Sequence, residues 1–225
     1  MTESSAPEPD AAQYGSSRQR IVSLLRDDQY QRAWIFGGLT GITRWLELLA
    51  LGIYAYEVTG SPFLVALLPI LRMLPLTLFG AVTGALADRF DRRDFLLASV
   101  VLVLAITGVM AWISWTGAIT FTHVAIASFL SGLFWTTDMP VRRRIIGDIA
   151  GPDRLSQAMG LDAATNNLTR MIGPLIGGVL YQTLGLTGVF ILSAVTYALS
   201  FLLVLGLRSS DDAAPSEEEG VLEDH

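Results

Sequence analysis

The sequence has 225 residues, of which 52% are hydrophobic and only 16% charged, and its mean hydropathy is +0.49. Soluble domains carry about 25% charged residues, so this composition indicates a membrane protein rather than a soluble domain. The formal net charge is −6, but ten of the 21 acidic residues lie in the two termini, which leaves residues 11–210 with 15 minus 11, or +4.

Residues 1–32 come before the first apolar stretch, and we expect them to form a cytoplasmic N-terminal segment. Within this segment, residues 19–32 mix Ile21, Val22, Leu24 and Leu25 with arginines. That mixture fits either an interfacial helix or a solvated lead-in.

Six apolar stretches then follow along the chain. A helix needs about 20 apolar residues to cross a hydrocarbon layer roughly 30 Å thick. The stretches that reach this length are Trp34 to Val58, Phe63 to Ala87, Phe95 to Trp115, Ala118 to Thr137, Leu161 to Leu184 and Leu186 to Leu207. The sequence therefore predicts an all-α integral membrane fold with a bundle of six transmembrane helices over residues 33–208.

The arginines between the stretches sort by position. They precede the first stretch or follow the second, fourth and sixth, and the connections after the first, third and fifth contain none. Because positively charged loops stay in the cytoplasm, both termini are predicted to be cytoplasmic, in a multi-pass protein of the cell membrane. Residues 209–225 are small and acidic, and we expect a disordered cytoplasmic tail or an inter-half linker.

The two halves of the bundle echo each other. The second stretch carries Pro69, Pro75 and the pair Gly80 and Gly84, while the fifth carries Pro174 with the pair Gly173 and Gly177. Glycines four apart allow close helix packing, and proline bends a helix. The echo favours two inverted three-helix repeats, as in secondary transporters, although glycine and proline are also common in membrane helices generally.

The connection after the second stretch carries a longer motif. Residues 84–93 read GALADRFDRR and resemble the signature Gly-x-Leu-Ala-Asp-Arg-x-Gly-Arg-Lys/Arg of the major facilitator superfamily. Asp91 replaces the usual second glycine. The positions that match are Gly84, Leu86, Ala87, Asp88, Arg89, Arg92 and Arg93. The resemblance implies a conformational switch, a charge cluster that latches onto a second half of the transporter.

The fifth stretch contains GPLIGG at residues 173–178, which is similar to the family signature associated with antiporters. The matching positions are Gly173, Pro174, Gly177 and Gly178. Together with TGSP at residues 59–62 and PVRRRIIGDIAGPDRL at residues 140–155, this motif resembles the enterobactin-exporter-like branch of the superfamily. The resemblance covers residues 30–208, or six of the usual twelve helices.

Ionisable and polar residues inside the apolar stretches are candidates for substrate binding or coupling, because each is costly there. They are Arg44, Glu47, Arg72, Asp162, Asn166 and Arg170. Arg44 and Glu47 lie three residues apart on one helix face, which fits a structural salt bridge or a proton-handling site. Arg72 lies deep in its stretch, and we expect it to pair with Glu47 or to bind an anionic substrate group.

Asp162 and Arg170 lie eight residues apart on a similar face of the fifth stretch. Asn166 between them could hydrogen-bond a substrate or satisfy helix contacts. A proton-coupled carboxylate must change protonation as the site alternates between the two sides. Glu47 with Arg72 is the first choice for this role, and Asp162 with Arg170 is the second.

The sequence and the resemblance together predict a transporter that exports a small molecule, with proton antiport as the coupling. Its expected partners are the lipid bilayer, the substrate, protons and a second six-helix half or a second copy of the chain. The alternative is a truncated or half-length protein that works only as a dimer or not at all. No cysteine and no HExxH or GxSxG pattern is present, so an enzyme is not expected. Neither a cofactor, a metal nor a nucleic acid is expected.

Overall fold

The computed structural model describes the backbone of residues 11–87 and 91–207, and the side chains of residues 17–80 and 91–207. The described part is all-helical. Its five helices are α1 (Ala11–Leu24), α2 (Asp28–Thr59), α3 (Pro62–Ala87), α4 (Arg92–Trp115) and α5 (Phe121–Leu205). Within it, three stretches are long and apolar enough to cross a membrane: Pro62–Gly80, Arg92–Trp115 and Phe121–Leu205. The predicted tail at 209–225 lies outside the described residues.

The described part of the N-terminal segment, residues 11–32, consists of α1 and the first turn of α2. A short turn separates α1 from α2, and the Asp27 side chain caps α2 by accepting from the backbone N–H groups of Gln29 and Tyr30, as aspartate commonly does at helix starts. Leu24 at the end of α1 is fully buried. The lead-in to the bundle therefore packs against the other helices.

Two further helices begin and end near the predicted limits. Helix α3 starts at Pro62, where the missing N–H of proline costs nothing, and it accommodates Pro69 and Pro75 in its interior. Helix α4 starts after Asp91, whose carboxylate accepts from the backbone N–H groups of Arg93 and Asp94. Asp91, which departs from the family signature, thus acts as a helix cap.

Helix α5 is interrupted at two glycines. Gly151 has φ 66° and ψ 173°, and Gly185 has φ 64° and ψ −164°. Such backbone angles are essentially restricted to glycine. The interruptions divide α5 into helical segments 121–150, 152–184 and 186–205.

The predicted connection at residues 138–160 is itself helical on both sides of Gly151. Asp138 and Arg142 form an ion pair four residues apart, which supports a helix. Arg154 donates to the carbonyl oxygens of Ile149 and Ala150 at 3.2 and 3.0 Å. Arg154 belongs to the polar stretch that predicts a loop from the sequence, and its hydrogen bonds join the two helix ends that meet at Gly151.

Contacts between distant residues define one end of the bundle, which we call the basic end. Gln29 of α2 donates to Gly206, and Tyr30 donates to Ala158. Arg93 at the start of α4 donates to the carbonyl oxygen of Leu205 at 2.7 Å. The starts of α2 and α4 therefore lie beside the start of segment 152–184 and the end of segment 186–205.

The opposite end, the arginine-free end, is defined in the same way. The Tyr54 hydroxyl donates to Ile119 at 3.0 Å, and Ser114 and Thr187 share a 2.8 Å hydrogen bond. Since Ala158 and Gly206 lie at the basic end while Thr187 lies here, the chain direction reverses between segments 152–184 and 186–205. Helix α2, which packs most extensively against α5, runs from the basic end to the arginine-free end.

Candidate functional site

A buried ion pair joins α2 to α3. Arg72 Nη2 donates to Glu47 Oε2 at 3.0 Å, and the two residues are 6% and 2% exposed. The second carboxylate oxygen, Glu47 Oε1, has no hydrogen-bond partner in the described part. Removing one partner of a buried ion pair costs about 3–5 kcal/mol, so this pair holds the two helices together.

Close backbone contact accompanies the pair on its α5 side. A Cβ on Gly132 would overlap the carbonyl oxygen of Arg72 and would lie 2.9 Å from Pro75 Cγ. The backbones of α3 and α5 therefore touch at the level of Arg72, which fixes the position from which its side chain reaches Glu47.

Two buried acids and three arginines form a second network, which we call the arginine–aspartate network. Asp138 is fully buried and accepts from Arg44 at 3.0 Å, with Arg142 Nε 3.7 Å away. Arg142 also pairs with Asp162, and Arg143 lies 3.4 Å from the same carboxylate. The network connects α2 with the segments on both sides of Gly151.

This arrangement differs from the pairs considered from the sequence. Arg44 pairs with Asp138 on α5 instead of with Glu47 on its own helix. The second-choice pair of Asp162 with Arg170 is not formed, because Asp162 is taken by Arg142 and Arg143. Glu47 and Arg72, by contrast, are brought together.

Two arginines stack on tryptophans. The Arg44 guanidinium carbon lies 4.6 Å from the ring centroid of Trp135, and the Arg170 guanidinium carbon lies 5.1 Å from that of Trp45. Both distances fall within the range of about 6 Å for a cation–π contact. Arg44 has a carboxylate partner in addition, whereas no ion pair to Arg170 is present among residues 17–80 and 91–207.

Arg170 lines an open groove between α2, α3 and segment 152–184. The groove has a volume of about 770 Å³, within the usual range of ligand pockets, about 300–1,000 Å³. Its two charged residues are Arg170 and Glu57, and the rest of its lining is almost entirely apolar: Trp45, Leu48, Leu49, Gly52, Ile53, Tyr56, Val65, Ala66, Leu68, Pro69 and Pro174. Such a surface suits an apolar molecule with few polar groups.

The glycines of the GPLIGG motif pack segment 152–184 against α2. A Cβ on Gly173 would lie 2.6 Å from Trp45 Cβ, and one on Gly177 would lie 2.5 Å from the Leu46 carbonyl oxygen. Gly178 has more room, since its Cβ would be 3.5 Å from Leu49 Cδ2. Pro174 lines the groove. Asn166, one turn before Arg170, is half-buried and does not line the groove.

The motif after α3 is only partly visible. Gly84 lies near the end of α3, and Asp88 and Arg89 lie outside the described residues. Arg92 forms an ion pair with Asp148 of α5. Arg93 donates to the carbonyl oxygens of Val204 and Leu205 at the end of α5. Both arginines therefore contact the same six-stretch unit.

Four charged participants were not selected from the sequence as site residues: Asp138, Arg142, Arg143 and Glu57. Asp138 and Glu57 lie at the ends of predicted stretches, and the two arginines lie in the predicted connection at residues 138–160, where a charged residue is ordinarily solvated. The spacing of Asp138 and Arg142, four residues apart, was the available signal for the network. No comparable signal marks Glu57, whose carboxylate accepts from Tyr181 on another segment at 2.5 Å.

The chain resembles known transporters along most of its length. The model of the Major Facilitator Superfamily matches residues 33–223. The chain is 27% identical over 172 residues to an uncharacterized MFS-type transporter, YfiS, of Bacillus subtilis, which covers 75% of this chain and 40% of that protein. It is 26% identical to the staphyloferrin A transporter of Staphylococcus aureus, covering 77% and 44%. It is 20% identical to macrolide efflux protein A of Streptococcus pyogenes, covering 78% and 44%. The chain thus spans less than half the length of these relatives.

Proposed function

The chain belongs to the Major Facilitator Superfamily, a family of membrane transporters, and on that premise we propose that it forms one six-helix half of a proton-coupled exporter of small molecules. Export is supported by the macrolide efflux protein among its relatives. The observation that carries the coupling proposal is the buried pair of Glu47 and Arg72. Protonation of Glu47 would neutralise its charge and release Arg72.

The six spans of this half are α2, α3, α4 and the three segments of α5, arranged as two inverted three-helix repeats. In support, the connections at the basic end contain the arginines and those at the arginine-free end contain none. Positively charged connections stay in the cytoplasm, so the basic end, with both termini, is cytoplasmic. The membrane is the cell membrane, and the TGSP and PVRRRIIGDIAGPDRL segments favour the enterobactin-exporter-like branch.

The groove provides one wall of the substrate path. The groove and the Glu47–Arg72 pair lie between the same two helices, since residues of α2 and α3 line the groove and the pair joins these helices. A second half would supply the opposite wall, and Gly84, Asp88 and Arg89 of the switch motif would contact it. The chain matches less than half the length of its relatives. This fits either a longer protein with a second half or a half-length chain that works as a dimer of two copies.

Reading the coding DNA beyond the codon for His225 separates these two forms. The longer protein, or the chain itself if a stop codon follows, is then reconstituted in vesicles, and accumulation of a fluorescent drug-like cation or anion is followed after an imposed pH gradient. We expect transport that depends on the gradient and is lost in Glu47→Gln. Transport that continues unchanged when the pH gradient is dissipated would refute proton coupling. If the reconstituted protein transported neither the cation nor the anion, the export of drug-like compounds would be refuted.

A further inference from the structure

Arg170 differs from the other arginines inside the bundle. Arg44, Arg72 and Arg142 each pair with a carboxylate, whereas Arg170 is exposed to the groove and stacks on the Trp45 ring, with no ion pair within the described residues. It lies 12 residues after Ala158 at the basic end and 11 before Tyr181 at the other end. Among the residues that the structure describes, Arg170 therefore has no carboxylate partner, and it lies midway along its segment, where a lone charge is costly.

The groove extends in one direction from Arg170. It begins at Trp45 and continues along α2 to Tyr56 and Glu57. Eleven residues of helix span about 16 Å at the usual rise per residue. The walls over this distance are apolar, and the Glu57 carboxylate, which accepts from the Tyr181 hydroxyl, lies at the arginine-free end. Arg170 and Glu57 therefore place a positive and a negative charge at opposite ends of the apolar groove.

We infer that this groove binds an amphiphilic monoanion, with its carboxylate or sulfonate on Arg170 and its apolar body directed along the groove toward Glu57. The inference rests on the proposed export function and gives its substrate class. Bound anion completes a charge-assisted hydrogen bond to the guanidinium and leaves the cation–π contact with Trp45 in place. The apolar body is buried against α2 and α3, and the free energy of binding becomes more favourable in proportion to the apolar area that is removed from water.

The two charges also set the orientation and the charge of the ligand. Glu57 repels a second anionic group at the arginine-free end of the groove, so binding of a molecule with an acid at both ends is disfavoured. While Arg72 is buried and paired with Glu47, it does not compete for the anion. The anion therefore has one strong partner, and substitution of that single residue tests the inference.

The test uses the same protein as the transport assay, in phosphatidylcholine nanodiscs, and the fluorescence of Trp45, identified by subtraction with Trp45→Phe. Three probes share one chain length and one bromine position: 2-bromododecanoate, its neutral methyl ester and the corresponding trimethylammonium cation. Bromine quenches a tryptophan that it contacts. We expect saturable quenching by the acid, and only the linear quenching due to bilayer partitioning by the ester and the cation.

Two substitutions distinguish the charge from the groove. Arg170→Gln should weaken binding of the acid by about tenfold or more, the loss expected for one charge-assisted hydrogen bond. Ala66→Phe, which places a ring in the groove from an exposed position and adds no tryptophan signal, should weaken it without changing any charge. Arg26→Gln removes an exposed arginine outside the groove and should leave binding unchanged. Unlabelled dodecanoate should compete better than dodecanedioate, with a smaller difference in Glu57→Gln.

Equal quenching by the three probes would overturn the inference, because the groove would then be an ordinary lipid-facing surface. Saturable binding of the acid that Arg170→Gln does not weaken would overturn it as well. The assay needs no transport, so either result leaves the export proposal standing. Conversely, an anion that binds as expected, in a protein that moves no substrate across vesicles, would refute export and keep the binding site.

Discussion

Asp138 should be among the most destabilising positions to neutralise. It is 0% exposed and contacts Arg44 at 3.0 Å and Arg142 at 3.7 Å. Asp138→Asn keeps the shape of the side chain but leaves the buried Arg44 without a counter-charge. Removing one partner of a buried pair costs about 3–5 kcal/mol, and we expect the lower value of about 3 kcal/mol because the amide oxygen still accepts one hydrogen bond.

The measurement is the free energy of unfolding of the purified chain in mixed micelles, as the denaturing detergent fraction is increased. Arg92→Gln is the matched control. Its ion pair with Asp148 is solvent-exposed, with side chains 36% and 64% exposed, and exposed pairs contribute about 0–1 kcal/mol. The two variants each remove one charge from one ion pair, so the difference between them reports burial.

A second variant separates loss of charge balance from loss of packing. Replacing both partners by apolar residues of similar size, Arg44→Met with Asp138→Leu, removes the uncompensated charge, and such replacements are often neutral or stabilising. We expect the double variant to be more stable than Asp138→Asn. If Asp138→Asn unfolded like Arg92→Gln, or if the double variant were the least stable, the account of the arginine–aspartate network would be wrong.

Three further predictions use other parts of the structure. Gly177→Ala should lower the free energy of unfolding by about 1–3 kcal/mol through overpacking, since its Cβ would lie 2.5 Å from the Leu46 carbonyl oxygen, whereas Gly178→Ala, with 3.5 Å to Leu49, should be neutral; equal stability of the two variants would contradict the close contact. Arg72→Ala should abolish efflux by the protein that carries the second half without preventing its membrane insertion, as measured by vesicle transport and membrane fractionation, and normal export would remove Arg72 from the mechanism. Because the chain contains no cysteine, single cysteines report topology: Thr116→Cys should react with a membrane-impermeant maleimide in intact cells and Ser156→Cys only after permeabilisation, and the reverse pattern would invert the proposed orientation.

The sequence predicted the helices where hydrophobicity and breakers agree. The stretch ending at Trp115 matches the end of α4, because threonine and glycine follow it directly. Residues 138–160 were predicted as a connection because they are polar, yet they are helical. Their charges are satisfied by other helices, and a pattern of hydrophobicity cannot distinguish a charge paired across helices from one in water.

The site shows the same limit. Glu47 and Arg72 carry opposite charges and lie far from the ends of the first two stretches. The sequence could therefore predict their pairing as one alternative, from their depth in the membrane alone. Asp162 could not be assigned its partner in this way, because Arg142 lies 20 residues earlier on the other side of the Gly151 interruption. The angle between segments at a glycine decides that contact, and no residue spacing encodes it. The groove was likewise not predictable, since it depends on how three segments pack.

Gly185 has a consequence for how the protein is made. With φ 64° and ψ −164°, this single residue replaces a loop between segments 152–184 and 186–205, and Leu186 is already buried on the far side. Because no loop separates the two segments, one cannot enter the bilayer much earlier than the other. We expect the insertion machinery to insert them together as one helical hairpin. A side chain added at position 185 should therefore impair membrane insertion during biosynthesis, before it affects the stability of the folded bundle.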